Sequence, residues 1–116
     1  MQNTPFCIYI YAMFPTELKD KIKEKLHEKF GQRFVAVIFY GSRVRGTEQA
    51  DSDLDALVIL KGPLSLWKDT YAAVQAIYAI QLELDFPIHM LPVDARHFEE
   101  EKYQLYRSAR QEGLAA

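Results

Sequence analysis

Two continuous apolar runs, residues 34–40 (FVAVIFY) and 54–60 (LDALVIL), constrain the fold of this chain more than any other feature. Runs of this length, rich in β-branched and aromatic residues and without polar alternation, fit strands covered on both faces. Residues 41–52 join them and carry Gly41, Ser42, Gly46, Thr47, Asp51 and Ser52, a connection rich in turn formers. Asp53 and Asp55 open the second run. Side chains two apart on a strand share a face, so these carboxylates project side by side, as oxygen ligands of a divalent cation must. The Gly41-Ser42 turn offers backbone N–H groups and a hydroxyl to a phosphate nearby. A carboxylate inside a strand otherwise fit for burial is costly unless it is paired or metal-bound. The structural alternative is a salt bridge from Asp55 to Arg43 or Arg45.

Around these strands the periodicity turns helical. Leu18, Ile22, Leu26 and Phe30 recur every four residues, Thr16 is the candidate N-cap, and Gly31 supplies the stop. From Leu66 to Leu82, Trp67, Tyr71, Val74, Ile77 and Tyr78 form a second stripe, in which the aromatic residues are read as core or interface. A third strand is expected over residues 84–91 (LDFPIHML), as an edge strand or one bulged at Pro87, which cannot donate to a ladder. After Pro92, Asp94 can cap a last helix holding Phe98, Tyr103, Leu105, Tyr106 and Ala109 and stopping at Gly113. The order helix–strand–strand–helix–strand–helix predicts an α+β (mixed α/β) domain with a small mixed sheet flanked by helices.

With 116 residues the chain has enough length for one core. A net charge of −2 argues against a protein that grips nucleic acid through bulk charge, though not against a small nucleotide. The lone Cys7 allows neither a disulfide framework nor a cysteine metal site, which suits a cytoplasmic location. Residues 5–14 (PFCIYIYAMF) are apolar but too short to span a bilayer, so no membrane association is expected. We divide the chain into an N-terminal extension, 1–15, read as an extra strand or an unordered segment, and a domain over 16–116.

The wording GSRVRGTEQADSDLDALVIL, with Gly-Ser, ten intervening residues, then Asp-x-Asp on a hydrophobic strand, resembles the polymerase-β-like nucleotidyltransferase superfamily. Within it the chain looks like the minimal nucleotidyltransferase group, to which the ending YRSARQEGL is also similar. The resemblance implies transfer of AMP from ATP to a hydroxyl, with release of pyrophosphate. It implies two Mg2+ ions held by Asp53 and Asp55, with a third carboxylate from the neighbouring strand completing the second site and assisting removal of the acceptor proton. Asp85 is the candidate for that carboxylate and Glu83 its competitor. Gly41 and Ser42 would bind the terminal phosphates. Arg43 and Arg45 would lie beside the triphosphate, or else be solvated or paired with Asp51. His89 shares Asp85's face by alternation and is read as making a structural hydrogen bond.

Minimal members of this superfamily commonly accompany a small helical HEPN-type protein in toxin–antitoxin pairs. The resemblance therefore implies an antitoxin that adenylylates a tyrosine of its partner. Transfer to a small-molecule hydroxyl such as an aminoglycoside is the enzymatic alternative, with the missing second domain counting against it. A non-catalytic subunit that neutralises its partner by contact is the alternative of another class. A homo-oligomer is left open.

Overall fold

The computed structural model describes residues 16–40, 53–112 and 114–115. Helix α1 spans Thr16–Phe30 and buries Ile22 and Leu26, with Leu18 and Phe30 packed at the margin of the same core. Gly31 then takes φ +59°, a left-handed conformation that a residue without Cβ adopts freely, and starts a short 3-10 turn, Gly31–Arg33. That turn delivers the chain into β1, Phe34–Tyr40, which pairs antiparallel with β2, Leu54–Leu60. Both strands have the bounds that their apolar runs predict.

Strand β2 is the centre of the molecule. Leu54, Ala56, Val58 and Leu60 face a core built with α1 and the helices that follow, while Leu57 and Ile59 face a second, smaller core on the other side. All five residues from Ala56 to Leu60 are buried, as double-sided coverage requires. Among the described residues the sheet has four strands in the order β3-β2-β1-β4, where β3 is Ile88–Asp94 and β4 is the two-residue strand Leu114–Ala115. β3 runs parallel to β2, and β4 antiparallel to β1. An α+β domain with a small mixed sheet is what the pattern of apolar runs leads one to expect.

The crossover from β2 to β3 corrects two expectations. The single helix expected over 66–82 is divided into α2, Leu66–Ala76, and α3, Tyr78–Leu82. Its buried line is Asp69, Ala73 and Ile77, whereas Trp67, Tyr71, Val74 and Tyr78 lie on the outside, Trp67 at 82% exposure. The sheet needs only a narrow line of small and aliphatic contacts from this helix, so the aromatic stripe is left in solvent. The third strand, expected over 84–91, begins at Ile88 and runs on through Pro92. Gln81 explains the late start. Its side-chain amide donates to the Phe86 carbonyl (2.8 Å) and its oxygen accepts from the Ile88 N–H (2.9 Å), bridging a Pro87 that lacks a donor. Among the described residues β3 lies at a sheet edge, where the prolines are tolerated.

At the end of β3, Asp94 Oδ1 accepts from the N–H groups of Arg96 (2.8 Å) and His97 (3.4 Å), capping α4, Ala95–Glu99. The expected last helix is also two helices, the second being α5, Gln104–Glu112. Phe98 and Ala109 enter the smaller core, and Tyr106 packs against it. At the same end of the sheet, Arg33 donates to both carboxylate oxygens of the buried Asp69 at 3.0 Å, tying the 3-10 turn to the start of α2.

Candidate active site

Strand register decides which side chains meet at the other end of the sheet. β2 begins at Leu54, opposite Ile88, so Asp55 stands beside His89 of β3 on one flank and Tyr40 of β1 on the other. Asp53 precedes β2 and shares Asp55's face, the face of the smaller core. The Leu54 N–H donates to the Pro87 carbonyl at 2.9 Å, which fixes the two strand starts against each other. Asp53 and Asp55 therefore do project together, each about 31% exposed.

Between them stands an imidazole. His89 Nε2 lies 3.0 Å from Asp53 Oδ2, and Nδ1 lies 3.6 Å from Asp55 Oδ1, with the ring 65% exposed. Burial pushes the Asp55 carboxyl pKa up, and the like charge of Asp53 adds to this, while His89 opposes both. Burial likewise raises the Tyr40 hydroxyl, with the Asp55 charge contributing. A site that resists the ionisation of its own carboxyl is one that gains from an added cation.

Asp85 makes no ion pair with Asp53, Asp55 or His89 among the described residues. It is exposed and lies three residues ahead of β3, in the bend between α3 and the strand. Glu83 is also exposed and ends α3. Gly41, Ser42, Arg43 and Arg45, the expected phosphate-binding residues, lie outside the described residues, as do residues 1–15. His89, expected to make a structural hydrogen bond, does so, with the two carboxylates as its partners. The signal for it was Pro87: a strand that starts after the proline puts His89 second, as Asp55 is second in β2.

Asp53 and Asp55 are the carboxylates that would hold a divalent cation, and His89 stands beside them. As the side chains stand, the imidazole nitrogens face separate carboxylates, and no group of three or more His, Cys, Asp or Glu among the described residues is arranged to hold a metal ion. A surface hollow of about 530 Å3, lined by Lys61, Asp94, Arg96 and His97 among others, lies at the opposite end of the sheet and takes no part in this cluster.

A profile of the nucleotidyltransferase domain matches residues 19–113, taking in both strands, the carboxylate pair and all the helices after them. The chain belongs to the nucleotidyltransferase domain family. No curated protein sequence matches it. Among solved structures, spectinomycin adenyltransferase AAD(9) from Enterococcus faecialis, determined with ATP and spectinomycin, superposes with a TM-score of 0.54 at 22% identity. The match covers 71% of this chain and 35% of the adenyltransferase, so the nucleotidyltransferase chain spans about a third of that enzyme's length. At this identity the likeness is one of fold. No helix among the described residues is long and apolar enough to cross a membrane.

Proposed function

We propose that this nucleotidyltransferase transfers AMP from ATP to a hydroxyl, using a divalent cation at Asp53 and Asp55. The observation that carries the reading is the side-by-side placement of these carboxylates at the start of β2, on a fold whose family membership is established. In the reaction the acceptor oxygen bonds to the α-phosphorus and the α–β bridging bond breaks. Pyrophosphate leaves with that electron pair, and the hydroxyl proton passes to a base. When bound, the cation supplies charge neutralisation on the triphosphate. Asp53 and Asp55 place two carboxylates where that cation would sit, with Tyr40 packed against the smaller core beside them.

The acceptor we favour is a tyrosine hydroxyl of a small helical partner of the HEPN type, which this chain would neutralise as an antitoxin of the minimal nucleotidyltransferase group. Support comes from the exposed line of Leu66, Trp67, Tyr71, Val74, Tyr78 and Leu82 along α2 and α3. This line runs toward the carboxylate end of the sheet and suits docking of another protein. A small-molecule hydroxyl is the second reading, favoured by the neighbour's crystallisation with ATP and spectinomycin.

Incubation with labelled ATP, a divalent cation and either the product of the adjacent gene or an aminoglycoside separates the two. Asp53→Asn combined with Asp55→Asn should lower transfer by at least about 10^3-fold while leaving the circular dichroism spectrum unchanged. Transfer that persists in this double variant would overturn the assignment.

A further inference from the structure

β2 and β3 run parallel, and their carboxyl ends lie side by side, Leu60 opposite Asp94. The chain leaves those ends toward opposite faces of the sheet. After β2 it passes to α2, whose Ala73 enters the larger core, and after β3 to α4, whose Phe98 enters the smaller one. Neighbouring parallel strands that send their connections to opposite faces leave a crevice beyond their carboxyl ends, and in open α/β sheets ligands bind there. The hollow of about 530 Å3 occupies this crevice, with Lys61, Gly62, Pro63, Asp94, Arg96 and His97 in its lining. Its walls are held from behind. The Lys61 N–H donates to the Arg33 carbonyl (2.8 Å), and the Arg33 guanidinium donates to the carbonyls of Lys61 and Pro63 (3.0 Å each). On the other side, Asp94 Oδ1 is committed to capping α4. A Cβ at Gly62 would stand 2.6 Å from Asp94 Oδ2, so the glycine lets the two walls close together.

With these backbone groups satisfied, the side chains of Lys61, Arg96 and His97 are what the hollow offers a ligand. None of the three forms a side-chain hydrogen bond or an ion pair among the described residues. Three nitrogen-bearing side chains around one concavity, against one carboxylate already engaged, leave the hollow positive in a chain whose net charge is −2. We infer that this hollow is a second binding site, separate from the carboxylate end of the sheet, and that it takes a phosphate group of a small molecule. A guanidinium offers a phosphate two parallel N–H donors, while an ammonium and an imidazole add donors from other directions. A cationic ligand would face Lys61 and Arg96 and is disfavoured. Asp55 and Leu60 are about 17 Å apart along β2, farther than a triphosphate spans, so the two ends bind separate groups.

Backbone 1H–15N shifts of the whole chain, followed during titration with inorganic phosphate, pyrophosphate or AMP, test this. Sodium chloride at matched ionic strength is the reference. Saturable shifts should centre on the amides of Gly62, Arg96 and His97. Lys61→Gln and Arg96→Gln, both at exposed positions where the fold makes no demand on the side chain, should each weaken binding about 10-fold or more, as loss of a charge-assisted hydrogen bond does. Lys68→Gln, exposed but outside the hollow, should leave the affinity unchanged. Tightest binding of phosphate, of pyrophosphate or of AMP supports the site in each case and identifies a lone phosphate, adjoining phosphates or a nucleotide as its ligand. No saturable shift with any of the three overturns the inference. So do shifts that chloride reproduces, shifts confined to Tyr40, Asp55 and His89, or equal affinities of wild type and Arg96→Gln. Neither a divalent cation nor ATP is present, so the outcome is independent of the nucleotidyl-transfer reading.

Discussion

Asp69 is the buried carboxylate whose environment opposes that of Asp55. The Arg33 guanidinium donates to both of its oxygens at 3.0 Å, the Ser65 N–H donates at 3.1 Å, and its carboxyl pKa is held below the usual carboxylate range, chiefly by the Arg33 hydrogen bonds. A depressed folded-state value means that the pair stabilises the protein above about pH 4, the unfolded carboxylate value, and that this is lost as pH falls through the folded value. The Arg33 side chain is 37% exposed, so solvent screening keeps the contribution well below that of a sealed pair. Asp69→Asn should therefore lower Tm at neutral pH and flatten the fall of Tm on the acid side. Thermal scans between pH 2.5 and 7 on both proteins check this; parallel curves would show that the pair carries no such linkage. None of this was legible in the sequence, since Arg33 and Asp69 are 36 residues apart and meet only because β1 and β2 pair.

At the scale of elements, how much a segment revealed of itself depended on where its constraints came from. β1 and β2 kept the bounds of their apolar runs because double-sided burial is written into every residue of such a run. α1 was equally plain, its stripe closed by Gly31. The late start of β3 depends instead on Gln81, a helix residue whose side chain replaces the missing ladder bond at Pro87, and no periodicity announces that. Gln81→Leu leaves the Phe86 carbonyl and Ile88 N–H without these partners and should cost about 1–3 kcal/mol. It should also loosen the start of β3, read as faster amide exchange at Ile88, which a purely global destabilisation would not single out. The aromatic line on α2 was read as core or interface, and its exposure removes the first option for Trp67, Tyr71 and Tyr78. Trp67→Ala with Tyr71→Ala should change stability by no more than about 0.5 kcal/mol per site. The same pair should abolish modification of a protein acceptor while leaving any transfer to a small molecule intact. Equal loss of both activities would show that the line serves folding or nucleotide binding.

On the scale of the whole molecule, the sheet divides its duties by end. The Lys61 and Asp94 end is closed by satisfied polar groups: the Asp94 cap, and Arg33 donating to Lys61 O, Pro63 O and Asp69. The Asp53 end instead gathers two carboxylates, a half-buried phenol and an imidazole beside the same core that holds Leu57 and Val93. Burial and the like charge of Asp53 raise the Asp55 carboxyl against the opposing pull of His89, so ionising Asp55 works against folding. The sign is opposite to that of Asp69: the cost of ionising Asp55 appears as pH rises above the unfolded carboxylate value and is complete above the raised folded value. Residues that resist their own ionisation are tolerable where a ligand restores the balance. Asp55→Asn should thus raise the Tm of the cation-free protein at pH 7, by about 4 °C for each kcal/mol relieved. Saturating cation with ATP should raise the wild-type Tm further, since ligand at 100 times its Kd adds about 2.7 kcal/mol. The Asp55→Asn variant should show little of that second rise. A variant that is less stable than wild type without ligand, or that gains as much from cation and ATP, would mean the carboxylate pair is structural and the nucleotide binds elsewhere.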